Sequence, residues 1–239
     1  MNLTVIQFND VFYKWGLLFS QSFYFTNPNE HLYMDTVNLN DNQVKELTSI
    51  SPNITVNSSN IEFEKSVHVP TFMANRKVRI FLDVLSKVEA DKYILIDADM
   101  LFRKSIDKLY GKLDDSDAAV IFRDGVWEGR IYEHLKVASG IVAITKKGIP
   151  FIKEWDRIMY NNIGIYGYRP WAWYWDQITL LEATRKINNI KYAPIEPWLY
   201  INREFGEDAI IWSANLEPKD RMYEMFGKEL ERIKHARAS

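Results

Sequence analysis

The chain has 239 residues, 47% of them hydrophobic and 26% charged, and a formal charge of −2. That composition excludes a disordered tail or a fibre, and the near-neutral charge leaves no global field to gather nucleic acid or an anionic membrane. The absence of cysteine excludes a disulfide framework and thiolate metal sites and agrees with a reducing compartment, so a cytoplasmic protein without a spanning segment is expected.

In chain order, Leu3 to Phe8 is rich in strand-forming residues, and Asn9-Asp10 follows as a turn or helix cap before an apolar-periodic helix running to about Phe23. A strand at His31 to Met34, a helix after Asp41 and a short strand at Ile54 to Val56 are expected next. Val78, Phe81, Leu82, Leu85 and Val88 recur at spacings of three and four, which predicts a helix over Asn75 to Val88. Tyr93 to Ile96 follows as a strand. Ala118 to Phe122 and Gly140 to Ile144 read as further strands, Phe151 to Tyr160 and Tyr174 to Ile187 as helices, and Lys191 to Ala193 as a last strand. Strands alternating with helices predict an α/β fold with a mostly parallel sheet flanked by helices, and ligands at the carboxyl ends of its strands. Residues 1–219 are expected to form one domain. The tail at 220–239 carries Met222, Met225, Phe226, Leu230 and Ile233 on one helical stripe, which suits docking on the parent domain or a peripheral membrane contact.

The segment Tyr93-Ile-Leu-Ile-Asp97-Ala98-Asp99 is the most informative. Asp115 and Asp117 form a second Asp-x-Asp, but in a polar run typical of a solvated loop. Asp97 and Asp99 instead end an apolar strand, where an α/β sheet opens to its ligand crevice. Two close carboxylates repel unless a cation lies between them or one keeps its proton. A divalent ion with a taste for oxygen, Mn²⁺ or Mg²⁺, is the simplest solution, with substrate phosphates completing its shell. Capping of the next turn by both acids is the alternative.

With the basic helix NRKVRIFLDVLSK before it, this region resembles the Asp-x-Asp region of nucleotide-sugar glycosyltransferases with the GT-A, Rossmann-like fold, and most of all the glycogenin and lipopolysaccharide galactosyltransferase group, family 8. The resemblance implies that Asp97 and Asp99 hold a metal bridging the diphosphate of a sugar donor, with Ala98 between them at the donor and a UDP-sugar favoured. It implies a basic residue facing the donor on the preceding helix, for which Arg79 is the first choice and Arg76 the second. Ser139-Gly140 resembles the small-residue strand that leaves room for the donor sugar, and Asp176-Gln177 the pair beside the reacting sugar. Phe8, Asn9, Asp10 and Tyr13 occupy the place of the nucleoside-holding strand and loop. A glycan or glycoconjugate is the implied acceptor, with transfer proceeding with retention.

One departure stands out. The family completes its metal shell with a histidine in a His-x-x-Gly-x-x-Lys-Pro segment. The nearest stretch here, Ile211 to Lys219, puts Trp212 where the histidine is expected, and indole cannot ligate a metal. Lys219 remains available to a diphosphate, and His134 or Asp208 could stand in as ligand. The aromatic run Tyr168 to Gln177 suits an acceptor platform or a packed hinge. Two other readings stay open: a sugar-nucleotide-binding relative with little turnover, and an inverting transferase with Asp124 as base.

Overall fold

In chain order the computed structural model contains β1 (Asn2–Asn9), α1 (Tyr13–Thr26), β2 (His31–Val37), α2 (Asp41–Ser49), β3 (Ile54–Ser59), α3 (Val69–Lys87), β4 (Lys92–Asp97), β5 (Met100–Phe102), α4 (Asp107–Gly111), β6 (Ala118–Phe122), β7 (Val126–Trp127), β8 (Arg130–Ile131), β9 (Val137–Thr145), α5 (Ile149–Tyr166), α6 (Trp175–Lys186), β10 (Tyr192–Pro194), α7 (Pro197–Tyr200), β11 (Ile211–Ser213) and α8 (Lys219–Ala238). The structure describes residues 1–214 and 219–238, without the side chains of residues 219, 220 and 238. Seven strands form one mostly parallel sheet in the order β10-β6-β9-β4-β1-β2-β3. Each strand and helix expected above is present. β5, β11 and the β7–β8 pair were not expected, because strands of two or three residues carry no readable alternation.

Two compact units make up the chain. One comprises Met1, Ile61–Leu95 and Lys112–Ile195. In it the apolar face of α3 buries Val78, Phe81 and Leu85, as their spacing requires, together with Val84, while Leu82 and Val88 are half-buried. β6 and β10 run parallel, but β9 runs antiparallel to β6. The reason is local: no α-helix crosses over between β6 and β9, which are joined by the β7–β8 hairpin and a short 3₁₀ turn at Glu133–Leu135, so the chain returns beside β6 in the opposite sense. That hairpin turns on Glu128 and Gly129, both at positive φ (48° and 74°), the primed geometry that matches strand twist. Register also breaks within this pair. Val120 faces Val142 while Ile121 faces Ala138, so Ser139, Gly140 and Ile141 bulge out of the ladder.

Gly148 sits between β9 and α5, where a Cβ would lie 2.5 Å from the Asp117 carbonyl oxygen and 2.8 Å from Ile144 Cβ. Backbone cannot yield as a side-chain tip does, so Gly148→Ala is expected to cost about 1–3 kcal/mol. Urea denaturation measures it.

The other unit comprises Asn2–Asn60, Ile96–Gly111 and the chain from Glu196 onward. β1, β2 and β3 pair in parallel, Leu3 opposite His31 and Leu32 opposite Ile54. A capping box starts α2: Asn40 accepts the Gln43 backbone N–H and Gln43 accepts that of Asn40, both at 3.0 Å. Antiparallel β5 and β11 bring Leu101 and Trp212 into a cluster with Trp15, Leu18, Met222, Phe226 and Leu230. The apolar stripe of α8 is therefore largely consumed by packing: Met222, Phe226 and Leu230 are buried, while Met225 and Ile233 are half-buried.

Arg103 ties this unit together. Its Nε donates to Glu229 Oε1 at 2.7 Å, one terminal nitrogen donates to the carbonyls of Gly206 and Glu207 at 2.8 and 2.7 Å, and its guanidinium lies 4.4 Å from the Trp212 ring centre. Burial alone would raise the Glu229 pKa, but hydrogen bonds from Arg232 and Arg103 outweigh it and hold the group below the usual glutamate value. A depressed folded-state pKa stabilises fully above the unfolded value, about 4.3, and that stabilisation fades as pH falls through the folded value. Glu229→Gln is accordingly expected to destabilise at pH 7 by about 3 kcal/mol and to flatten the loss of stability between neutral pH and the acid limb. Thermal melts from pH 3 to 8 check the sign.

Candidate active site

The acids at the end of β4 fall in the second of these units. Asp97 is the last residue of the strand, Ala98 is buried, and Asp99 leads into β5. Both carboxylate-bearing residues are half-exposed, and the Asp99 carbonyl accepts the Ala214 N–H at 3.0 Å, which pins the turn against the end of β11. The buried apolar segment Tyr93 to Ile96 delivers the acids, which are half-exposed between buried Ile96, Ala98 and Met100.

In the same unit Phe8 is buried in β1, its ring against Gly16, and Asn9, the last residue of β1, is buried too. Asp10 is exposed on the short 3₁₀ turn before α1. Tyr13 opens α1 and donates its hydroxyl to Glu46; burial and that carboxylate push the phenol well above its usual range. Trp212 is a core residue: its Nε1 donates to the Gly206 carbonyl at 3.1 Å and its ring meets Phe205 edge-on at 5.4 Å. Counted back from Lys219, the His-x-x-Gly-x-x-Lys spacing falls one residue later, on Ser213, which is also buried. The Lys219 side chain lies outside the described residues. Asp208 is exposed on the loop before β11.

Among the described residues no group of three or more His, Cys, Asp or Glu side chains converges as a metal site. The candidate donors at the end of β4 are the carboxylates of Asp97 and Asp99. Two hard oxygen donors on an open strand end fit a Mg²⁺ or Mn²⁺ ion that shares its shell with substrate phosphates, and do not make a closed all-protein cage.

In the first unit Ser139, Gln177 and Lys77 meet around one buried carboxylate, that of Asp176. Asp176, in the first turn of α6, is 5% exposed, and Lys77 of α3 is 6% exposed. Lys77 Nζ lies 2.9 Å from Asp176 Oδ2 and donates to Ser139 Oγ at 3.1 Å. Ser139 in turn donates to the same Asp176 oxygen, while Asp176 Oδ1 accepts the Gln177 N–H at 2.8 Å. The β9 bulge is what turns Ser139 into this cluster. Trp155, fully buried on α5, closes the base by donating Nε1 to the Asp176 carbonyl at 3.1 Å and to Thr179 Oγ1 at 3.2 Å. With its amide oriented to satisfy both partners, Gln177 donates to the carbonyls of Val137 at 2.9 Å and His134 at 3.2 Å. His134 stacks on Tyr174 with ring centres 4.7 Å apart.

Lys77 was not among the residues chosen from sequence. Arg79, which was, spends its guanidinium on Asp156 in a two-point pair at 2.7 and 2.8 Å and lies 3.9 Å from the Tyr160 ring centre. Hydrogen bonding to Asp156 raises its pKa further. Arg76 is half-buried on the same helix, and Gly140 is half-buried beside Ser139. Asp124 is exposed and its Oδ1 accepts the Val126 N–H at 3.0 Å, the local bond of an Asx turn.

A mostly parallel sheet flanked by helices makes this an α/β protein with a fold of the GT-A type. No family model and no curated protein matches the sequence. Among solved structures the chain is similar to the galactosyltransferase LgtC in complex with donor and acceptor sugar analogues, with a TM-score of 0.61 and 13% identity over 97% of this chain and 96% of that one. It is also similar to the glycosyltransferase GlyE of Streptococcus pneumoniae (TM-score 0.61, 11% identity, 97% of this chain and 61% of that one). A third likeness is to the bifunctional glycosyltransferase WbbM (TM-score 0.61, 13% identity, 99% of this chain and 51% of that one). At these identities the likeness establishes the fold, which is that of the LgtC group of GT-A glycosyltransferases, and leaves activity to the site.

Proposed function

We infer that the chain is a glycosyltransferase that moves a sugar from a nucleoside diphosphate donor, a UDP-sugar in preference, to the hydroxyl of a glycan or glycoconjugate. The observation that carries this reading is the placing of Asp97 and Asp99 at the open end of β4 in a fold shared with LgtC along nearly its whole length. An active-site glutamine-to-glutamate mutant of LgtC has the same fold likeness, with a TM-score of 0.59; a glutamine thus belongs to that active site, a position open here to Gln177.

Asp97 and Asp99 would hold a Mn²⁺ or Mg²⁺ ion, and that ion, when bound, supplies Lewis-acid stabilisation of the charge that grows on a departing diphosphate. Asn9, Asp10 and Tyr13 supply polar groups at the end of β1 for a nucleoside. Asp176 cannot act as a free base in its present company, because one oxygen takes both Lys77 and Ser139 and the other takes a backbone N–H. Its chemistry suits fixing Lys77 and Ser139 in place. Gln177 contributes an amide whose orientation is held by two carbonyls. Retention is favoured because Asp124, the residue named for an inverting base, caps its own turn.

Release of UDP from UDP-glucose, UDP-galactose and UDP-N-acetylglucosamine, followed with Mn²⁺ and then with EDTA, tests the reading. Metal-dependent release from at least one donor is the expected result. Absence of release with every nucleoside diphosphate sugar, together with absence of metal-dependent donor binding, would support a sugar-nucleotide-binding relative instead.

A further inference from the structure

The aromatic run of the first unit is sorted by the fold. Tyr168 and Ala172 turn inward: the Tyr168 carbonyl accepts the His68 N–H at 3.0 Å, its ring meets Phe72 at 4.9 Å, and the carbonyl of fully buried Ala172 accepts Asn75 Nδ2 at 3.2 Å. Gly167, at φ 69°, makes the turn that ends α5. On this braced loop the other large side chains face water: Ile165 is 71% exposed, Tyr166 50%, Trp171 60%, and Trp173 and Tyr174 about two-fifths. Tyr166, Trp171 and Trp175 form a closed triangle of edge-on contacts, with ring centres 5.2 to 5.6 Å apart. A rigid set of exposed aromatics beside an exposed isoleucine is not packing, and a patch of this kind marks a contact surface.

Composition decides what it contacts. From Ile163 to Trp175 there is no Asp, Glu, Asn, Gln, Ser or Thr, and Arg169 is the only charged residue. Saccharides are held by aromatic faces together with side chains that read hydroxyls; of the polar residues that follow, Asp176 is buried on Lys77 and Ser139 and Gln177 spends its amide on two carbonyls, so neither adds that complement to the exposed face. Trp and Tyr with an aliphatic neighbour, an arginine and no acid is instead the chemistry of the bilayer interface, where amphipathic rings sit at the headgroup level and cationic groups meet anionic lipid. The stripe of α8, the other apolar surface that sequence offers to a membrane, is largely spent in the core of its own unit.

We propose that residues 165–174 dock the protein on an anionic bilayer surface, with Ile165, Tyr166 and Trp171 entering the boundary between headgroups and acyl chains and Arg169 meeting the lipid phosphates. This surface does not depend on the glycosyltransferase reading. The test is sedimentation of the full chain with vesicles of phosphatidylcholine alone and of phosphatidylcholine with phosphatidylglycerol, repeated on Ile165→Ser/Tyr166→Ser/Trp171→Ser. Wild-type protein is expected to partition onto the anionic vesicles and the triple variant to bind about tenfold or more weakly, with an unchanged circular dichroism spectrum. As a second reading, brominated-chain lipid should quench wild-type tryptophan fluorescence, and less so in Trp171→Phe. No vesicle binding, or equal binding by wild type and triple variant, would overturn the proposal. So would a variant that loses binding to soluble lactose or maltotriose while still sedimenting with vesicles, since the patch would then be a saccharide platform.

Discussion

Replacing Lys77 with methionine is expected to cost about 3–5 kcal/mol, because it leaves the Asp176 carboxylate buried without its cation. For a chain of this size that is a fall in melting temperature on the order of 10 °C. Desolvation makes the effect large: an ion pair formed by two side chains that are both more than nine-tenths buried contributes little beyond its own burial cost, but half of such a pair is a bare charge. The second change separates this account from simple loss of packing. Adding Asp176→Asn removes the charge: its single oxygen can keep the Gln177 N–H, and its amide N–H can donate to the Ser139 hydroxyl oxygen that Lys77 no longer occupies, so the double variant should recover most of the lost stability. Activity should stay absent in both. Equal destabilisation of the single and double variants would mean that the pair serves packing, not charge compensation.

Asp97→Ala and Asp99→Ala are expected to behave in the opposite way. Both residues are half-exposed at the end of β4, so each change should leave the melting temperature within about 2 °C. Turnover should fall by about a thousandfold, the scale of losing the charge stabilisation given to a leaving diphosphate. A folded, inactive Asp97 variant beside an unstable Lys77 variant would distinguish a site that meets substrate from one that also holds the fold.

The alternation of strands and helices was legible because it rests on local periodicity. The apolar stripe of α3 and the β-rich run before Asp97 each signal their element without knowledge of the rest of the chain. The antiparallel course of β9 was less so, since the alternation that predicts a parallel sheet fails only where no α-helix intervenes, between Phe122 and Val137.

Among the candidate residues, Asp97 and Asp99 could be found because an apolar strand ending in two acids is itself a local signal. Lys77 was missed although a signal existed. It stands four residues before Phe81 and seven before Val84, in line with the buried face of α3, whereas Arg79 stands four before Asp83 on the polar face. A charge in line with an apolar stripe needs a buried partner. That the partner is Asp176, and that a bulge brings Ser139 to both, depends on tertiary pairing that no local pattern encodes.

The central claim is that the two acids at the end of β4 hold a divalent ion for a nucleoside diphosphate sugar. It is tested most directly by melting the protein with UDP-glucose, UDP-galactose or UDP-N-acetylglucosamine, each with and without Mn²⁺, in wild type and in Asp97→Ala/Asp99→Ala. At a hundredfold excess over its dissociation constant the preferred donor should add about 2.7 kcal/mol, a rise of several degrees. The account predicts that this rise requires both metal and the two acids. The same rise without Mn²⁺, or in the double variant, would contradict it.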